Sequence, residues 1–390
     1  MTLLALTVVT LLAAPAPADT GEADLHAELA TLWRAAACGD VPLGGSVALD
    51  PEQQALVDTH CEALDALTAE WRAGWYAAAR PFFARLVPRD VPRRVVYPFG
   101  GADLLSALTV FPEADEISIL ALEPGGDPRS LADLRAGTLR ASLRLVRQHF
   151  RFLAHIGFSR TVDLDELSKG MLAGVLIYDL AALEALGYEP LALRLFTLDD
   201  DGARRYRTAA DLAEVDRDLA RARSARARAA AVGDAFGAFE LLYRRRPSPT
   251  DPAPRVRTFR HLASDLSDGG FRVRPEVLRY LEGLGPVAVM TKAASYLLWH
   301  RDFSTLRDYL TAHLQWMVSD TSGLAPDTVD PAIFEQLTWG AFDGPIISCP
   351  KDRAEKMEAL FAKTPDRPLP IAFGYPDKHD AYGLLVTRRR

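Results

Sequence analysis

Two adjacent glycines followed by an acid form the stretch of this sequence best suited to hold a ligand. Gly100 and Gly101 come directly after the apolar stretch RVVYPF, and Asp103 follows them closely. Glycine between a strand and a helix lets the backbone approach a ligand and lets the helix pack tightly. Glu123 lies about twenty residues further on, a spacing at which an acid accepts hydrogen bonds from ribose hydroxyls. These spacings predict a ligand-binding turn built from Tyr97, Gly100, Gly101, Asp103 and Glu123.

Polar residues also follow three later strand candidates. Asp265 comes after RTFRHLA, Lys292 and Ser295 come after PVAVM, and Asp320 comes after QWMV. The carboxyl ends of parallel strands share one edge of a sheet, so these side chains are candidates for the same site. Lys292 and Ser295 could act as a base and a nucleophile, and Asp320 could bind a metal or a sugar hydroxyl. The alternative is structural: Lys292 pairs with an acid, Ser295 packs against a helix, and Asp320 shapes a turn.

The sequence lacks the motifs of several enzyme classes. The eight histidines are scattered, and H-E-x-x-H, G-x-S-x-G and G-x-x-x-x-G-K-[ST] do not occur. Their absence argues against a zinc protease, an α/β-hydrolase and a P-loop enzyme. The formal net charge of −7 gives no support for a nucleic-acid partner. We therefore predict no metal site and no nucleic-acid binding.

The amino-terminal residues indicate export. An apolar stretch from Leu3 to Ala14 is followed by Ala16-Pro17-Ala18, which is typical of a signal peptide and its cleavage site. The apolar stretch is too short to span a membrane. We predict a signal peptide over residues 1–18 and a periplasmic or extracellular protein without a membrane span. The alternative is a buried N-terminal helix.

The cysteines agree with an oxidising compartment. Of the three cysteines, Cys38 and Cys61 lie close together in a helical region, and Cys349 stands far downstream. Disulfides form and persist in exported proteins. We predict a disulfide between Cys38 and Cys61.

The elements that must position these residues follow from hydrophobic periodicity. Residues 21–90 are predicted to form a helical cap whose last helix is broken at Pro81. From residue 95 to 385, short apolar strands alternate with helical stretches, interrupted by a charged helical insertion at 199–233. AFELLYRRR and RVRTFRHLA flank a proline-rich turn and predict an antiparallel hairpin. The closing TRRR is predicted to be a frayed tail. The expected fold is α/β and Rossmann-like, with a mostly parallel sheet covered by helices on both faces.

The order of strand, glycine turn, helix, strand and acid resembles the class I S-adenosylmethionine-dependent methyltransferases. Against that pattern, Gly101 matches the second glycine and Glu123 matches the ribose-binding acid. Tyr97 stands where the strand acid is usual, and Phe99 replaces the first glycine. The resemblance implies a methyltransferase-like fold with a nucleotide-like cofactor above Gly100 and Gly101.

A second resemblance is to an uncharacterised family of secreted or lipid-anchored bacterial proteins. Its members carry Y-P-F-x-G-x-D and a strand ending in L-E-P, as residues 97–103 and 122–124 do here. The blocks GFSRT at 157, ASDLSD at 263, KAASYLL at 292 and SDTSG at 319 are also similar to that family. This resemblance implies an exported protein with this fold and names no activity.

Two functions follow from these observations. In one, the chain is a non-catalytic exported protein that binds a small polar ligand or a surface partner. In the other, it is a group-transfer enzyme that uses a nucleotide-like cofactor. Export, the missing catalytic motifs and the altered glycine turn favour the first, because Phe99 would obstruct a cofactor and Tyr97 removes a charged hydrogen-bonding group. We expect the turn to keep the fold and to lose the usual ligand geometry.

Overall fold

The computed structural model describes residues 21–39, 43–45, 48–155, 174–363 and 367–390. The expected signal peptide and the GFSRT block lie outside the described residues. Within them, no helix is long and apolar enough to cross a membrane.

The amino-terminal region is helical, as its spacing of apolar residues predicts. It contains α1 (His26–Ala35), α2 (Pro51–Trp71), a π-helical turn (Arg72–Tyr76) and α3 (Ala77–Leu86). Asp50 and Gln53 form a reciprocal capping box at the start of α2, which satisfies backbone amides that have no partner in the helix. Leu64, Leu67 and Trp71 share one buried face of α2. A disulfide joins Cys38 to Cys61 with the Cα atoms 5.3 Å apart, which confirms the predicted pairing.

Pro81 does not break the helical region as predicted. It lies inside α3, exposed to solvent, five residues after the π-helical turn ends at Tyr76. Proline removes one hydrogen bond from a helix interior. Here the buried face formed by Ala79, Phe82 and Phe83 holds α3 in place, because packing of an apolar face outweighs local propensity.

A single sheet of ten strands forms the centre of the molecule, in the order β4-β3-β5-β6-β2-β1-β7-β8-β10-β9. The strands are β1 (Arg94–Pro98), β2 (Glu116–Ala121), β3 (Tyr188–Leu198), β4 (Arg204–Tyr206), β5 (Ala238–Arg245), β6 (Arg257–Ala263), β7 (Val287–Thr291), β8 (Leu314–Asp320), β9 (Phe334–Gly340) and β10 (Gly383–Arg389). The central strands from β6 to β8 run parallel, and both edges of the sheet are antiparallel. The sheet is therefore mixed, where the sequence predicted it to be mostly parallel.

Two antiparallel parts of the sheet differ in whether the sequence predicted them. The predicted hairpin is present, with β5 and β6 paired antiparallel from Ala238 opposite Leu262 to Tyr243 opposite Arg257. The closing TRRR, however, is no frayed tail. Its first three residues belong to β10, which lies between β8 and β9 and is antiparallel to both. An apolar run predicts a strand but carries no information about the strand's direction.

Both faces of the sheet are buried, because alternate residues of a strand point to opposite faces. On β1, Val95 and Tyr97 belong to one hydrophobic cluster and Val96 belongs to another. The first cluster contains the amino-terminal helices together with α4 (Leu104–Val110), α5 (Ala136–His155) and α6 (Leu176–Ala185). Two further helices, α7 (Ala209–Arg221) and α8 (Ala225–Ala235), come next in the chain. The second cluster contains the four helices that follow them: α9 (Asp268–Val273), α10 (Pro275–Gly283), α11 (Ser304–His313) and α12 (Lys351–Lys363).

The strand order reverses at β1. From β1 the chain moves to β2 and later to β6 on one side, and then to β7 and β8 on the other. In open parallel sheets, ligands bind beyond the carboxyl ends of the strands where the order reverses. The fold therefore places the residues after β1, β2, β6, β7 and β8 at one edge of the sheet, and we call the position beyond that edge the crevice.

Candidate functional site

The turn after β1 uses its glycines for internal packing. A Cβ atom at Gly100 would lie 2.7 Å from Cγ2 of Ile119 and 2.8 Å from Cγ of Tyr97, so only glycine fits there. Gly101 has a φ of 55°, a conformation that favours glycine. Asp103 then caps α4 by accepting a hydrogen bond from the Ser106 amide at 3.2 Å. The turn is shaped to bring α4 close to the sheet.

Phe99 takes the position at which a glycine is usual in nucleotide-binding turns. Its φ is 60°, a left-handed conformation that costs a side-chain-bearing residue about 1–2 kcal/mol. The ring contacts Phe303 edge-on with the centroids 5.7 Å apart. Phe99 therefore joins the turn to the segment before α11.

A buried polar network lies directly beside this turn. The Tyr97 hydroxyl donates to Oδ2 of Asp103 at 2.9 Å. Nζ of Lys292 is 2.8 Å from the same oxygen, and both side chains of this ion pair are 1% exposed. Lys292 also donates to the Ser106 hydroxyl at 2.8 Å and lies 5.4 Å from the centre of the Phe373 ring. Burial and the Asp103 carboxylate raise the pKa of Tyr97 well above its ordinary value, so the phenol stays protonated and donates.

Asp179, on α6, is a member of this region that sequence reasoning missed. It is fully buried. Burial raises its pKa well above the ordinary value, the Leu104 amide opposes that rise, and the neighbouring Asp103 carboxylate adds to it. Burial therefore favours the protonated form of Asp179. The available signal was a lone acid inside the apolar stretch LIYDLAAL, because charged residues are almost never fully buried without a partner.

Asp320 is saturated by donors from its own chain. Its carboxylate accepts from the backbone amides of Ala293 at 2.7 Å, Tyr375 at 2.9 Å and Ser322 at 3.0 Å, and also from the Ser322 hydroxyl. Burial raises the pKa of Asp320, and these donors oppose that rise. A carboxylate offers about four lone-pair sites, so these bonds use its capacity. Asp320 thus ties the ends of β7 and β8 to the segment around Tyr375.

Lys292 and Ser295 belong to separate networks. The Ser295 hydroxyl is buried and hydrogen-bonds to the Ser322 hydroxyl, whereas Lys292 bonds to Ser106 and Asp103. Ala293, between them, has a φ of 58° and a ψ of −93°. The strained backbone at Ala293 turns the two side chains into different surroundings.

Glu123 and Asp265 follow the neighbouring parallel strands β2 and β6 at the same edge of the sheet, and we call this part of the edge the rim. Glu123 is half-buried just after β2, and its backbone carbonyl accepts from Nε2 of His261 at 2.8 Å. Burial lowers the pKa of His261 to about 4, so the ring is neutral. Asp265 is exposed, and its carboxylate accepts from the Ser267 amide at 2.9 Å. Leu122, next to Glu123, is 67% exposed, so this rim combines an acid with an apolar side chain.

The predicted site residues therefore fall into three groups. Tyr97, Asp103 and Lys292 are joined in one buried network, Ser295 and Asp320 both bond to Ser322, and Glu123 lies at the rim with Asp265. Among the described residues, no three His, Cys, Asp or Glu side chains come together as metal ligands. Comparisons with protein families, curated proteins and solved structures found no match for this chain.

Proposed function

We propose that this chain is an exported α/β protein of Rossmann-like layout that binds a small polar ligand or a surface partner without catalysis. Counted in chain order, the parallel strands β6-β2-β1-β7-β8 follow the sequence 3-2-1-4-5, which is the order of the doubly wound nucleotide-binding fold. That order supports the Rossmann-like, methyltransferase-like layout. The disulfide is compatible with an oxidising compartment and so with export.

We propose a non-catalytic role because side chains of the protein itself fill the position beside β1 at which a cofactor would bind. In a nucleotide-binding fold, the first turn and the start of its helix receive the phosphates. Here Asp103 occupies that helix start and is neutralised by Lys292, and the Tyr97 hydroxyl points at the same carboxylate. The chain's own groups satisfy one another where a cofactor would bind.

The rim of the crevice is the place we propose for a polar ligand. Glu123 is half-buried there, and Asp265 is exposed after the adjacent strand β6. Carboxylates accept hydrogen bonds from hydroxyl and amino groups. Sugars and amino acids therefore suit this rim better than phosphates, which the acids repel.

A group-transfer enzyme is the second candidate, and Asp179 favours it. Buried acids with strongly raised pKa values concentrate at functional sites, where they donate protons. Asp179 has such a pKa and lies near Asp103. In this interpretation, Asp179 donates a proton to a substrate beside the buried pair of Asp103 and Lys292.

A thermal-shift screen separates the two candidates. A ligand at a hundred times its dissociation constant stabilises the folded state by about 2.7 kcal/mol. We expect a shift with members of a panel of sugars and amino acids, and no shift with S-adenosylmethionine, NAD or ATP. The sugar or amino-acid shift should disappear in Glu123→Ala and persist in Glu355→Ala, an exposed acid on α12. A shift with S-adenosylmethionine that Glu123→Ala abolishes would overturn the proposal in favour of group transfer.

A further inference from the structure

A groove of about 400 Å³ opens at the amino end of β1, at the opposite end of that strand from the crevice described above. Its walls are α3, the segment that leads into β1, and the chain that follows α4. Pockets that bind small molecules measure about 300–1,000 Å³, and most of their lining is apolar with a few polar groups. The groove meets the size criterion.

The floor of the groove is apolar because one face of α3 points into it. Arg80, Phe83, Ala84 and Val87 line the groove, and their spacing of three and four residues places them on one side of a helix and its continuation. Phe111, just after α4, lines the groove opposite them. Phe83 and Phe111 are almost fully buried, so the exposed part of the apolar floor is supplied by Ala84, Val87 and Val91, with an arginine at one end of the helical row.

The rim of the groove is cationic. Arg80, Arg89 and Arg93 line it, and Arg89 and Arg93 are exposed. In the part of the chain that the structure describes, Arg80 and Arg89 form no ion pair. Arg93 has only a 3.8 Å contact with Asp115, in which both side chains are about half exposed. Such exposed pairs contribute little, so these arginines are available to an anion.

The one acid that lines the groove, Glu113, is paired with arginines that lie outside the groove. Glu113 lines the groove, and its carboxylate pairs with Arg255 at 3.1 Å, with Arg245 at 3.2 Å and with Arg257 at 3.7 Å. The acidic charge is therefore shared among three arginines outside the lining. The groove keeps an excess of positive charge above an apolar floor.

We propose that this groove binds a medium-chain fatty acid. The alkyl chain lies along Ala84, Val87 and Val91, and the arginine rim formed by Arg80, Arg89 and Arg93 attracts the carboxylate. The charge complements the arginine rim, since guanidinium groups bind carboxylates through paired hydrogen bonds. A flexible aliphatic chain suits a floor that three separate chain segments supply. This site is independent of the rim at Glu123.

Isothermal titration with octanoate and decanoate tests the proposal. Each buried methylene strengthens binding about fourfold, so decanoate should bind at least about tenfold more tightly than octanoate. 1-Decanol, with a similar chain and no charge, should bind about tenfold more weakly than decanoate because the ion pairs are lost. An aromatic acid, 3-phenylpropionate, should bind more weakly than decanoate. Tighter binding of 3-phenylpropionate would overturn the assignment to a fatty acid, and absence of decanoate binding would overturn the site.

Variants locate the binding. Arg80→Gln and Arg89→Gln should each weaken decanoate binding about tenfold, and Ala84→Phe should block it by filling the floor. Arg85→Gln is the matched control, because Arg85 is exposed on the same helix and does not line the groove. Glu123→Ala should leave decanoate binding unchanged, which separates this site from the proposed polar-ligand site. Equal losses in Arg80→Gln, Arg89→Gln and Arg85→Gln would show nonspecific attraction and would overturn the proposal.

Discussion

Nζ of Lys292, after β7, lies 2.8 Å from Oδ2 of Asp103, at the start of α4, and the two side chains are 1% exposed. This ion pair bridges the two elements that flank the reversal of strand order. Because Asp103 also caps α4 and accepts the Tyr97 hydroxyl, the pair fixes the turn after β1.

Removing one partner of this pair should be strongly destabilising. Lys292→Met keeps the side-chain length but leaves Asp103 as an uncompensated buried charge. Breaking a buried pair in this way costs about 3–5 kcal/mol. Urea denaturation at pH 7 measures the loss.

Two controls make that result specific. Lys292→Met combined with Asp103→Asn should lose less stability than the sum of the single variants, because no unpaired charge remains. Arg301→Met breaks the exposed pair with Asp302, in which the side chains are 95% and 72% exposed, and should change stability little. Equal effects of Lys292→Met and Arg301→Met would contradict the buried-pair interpretation.

Asp179 predicts a pH dependence of opposite sign to that of a paired acid. Its pKa is raised well above the ordinary value by burial. Above about pH 4 an unfolded aspartate releases its proton, while the native state retains it. The native state then binds more protons, so this group's contribution to stability falls as the pH rises.

Asp179→Asn imitates the neutral acid and removes that dependence. We expect the variant to gain stability relative to the wild type as the pH increases from 5 to 8, measured by urea denaturation at each pH. Parallel stability curves for the two proteins across this range would show that Asp179 titrates normally.

His60 predicts a loss of stability in mild acid. Arg147 donates to its Nδ1 at 2.8 Å, so its Nε2 donates to the Ala36 carbonyl at 3.0 Å. Burial lowers the pKa of His60 to about 4. An unfolded histidine titrates near pH 6.5, so the unfolded state binds more protons between about pH 6.5 and pH 4.

The stability that neutral His60 supports is therefore complete above about pH 6.5 and falls by about 3 kcal/mol as the pH drops to 4. His60→Gln should flatten this slope, and the change should add to that from His261, whose pKa is lowered in the same way. Nitrogen chemical shifts of the His60 ring provide a direct check. A ring that is protonated at pH 5.5 in the folded protein would contradict the prediction.

Local features of the candidate site could be predicted from the sequence, whereas its long-range contacts could not. Gly100, Gly101 and Asp103 occupy one turn, so their spacing was enough to place them after a strand. The partner of Asp103 lies far along the chain at Lys292, and only the strand order brings the two together. The sequence suggested that Lys292 pairs with an acid, but it did not identify which acid.

The direction of the strands also could not be predicted from the pattern of apolar residues. GLLVTRR forms β10 between β8 and β9, yet its basic end resembles a tail. Arg388 is held by Glu335 on the neighbouring strand at 2.8 Å, a contact that depends on the register of the two strands. The hairpin of β5 and β6 was predicted because its turn lies between the two strands in the sequence.

Reducing the disulfide should weaken the amino-terminal helices. Cys38 and Cys61 are separated by 23 residues, and closing a loop of this size contributes about 3 kcal/mol. Cys38→Ser with Cys61→Ser should lower the free energy of unfolding by about that amount. Maleimide labelling of the unreduced, denatured protein should modify Cys349 alone, and labelling after reduction should modify all three cysteines. Three labels before reduction would contradict the pairing.

Gly374 should be difficult to replace, because it lets the backbone reach Asp320. Its φ is +72°, and a Cβ atom there would lie 2.0 Å from Oδ2 of Asp320. That oxygen accepts the amides of Tyr375 and Ala293, so Gly374→Ala must displace a carboxylate that holds two strand ends together. Gly187 is the matched control, since its φ is +75° and nothing lies within 4 Å of its Cβ position. Alanine at Gly187 should cost only about 1–2 kcal/mol of backbone strain. At Gly374 the loss in the free energy of unfolding should be larger by at least about 2 kcal/mol, because buried amides lose their acceptor.

Urea denaturation of the two variants measures both losses. Equal losses would mean that the Asp320 carboxylate moves aside freely, and would contradict the role of Asp320 in joining β7, β8 and the Tyr375 segment.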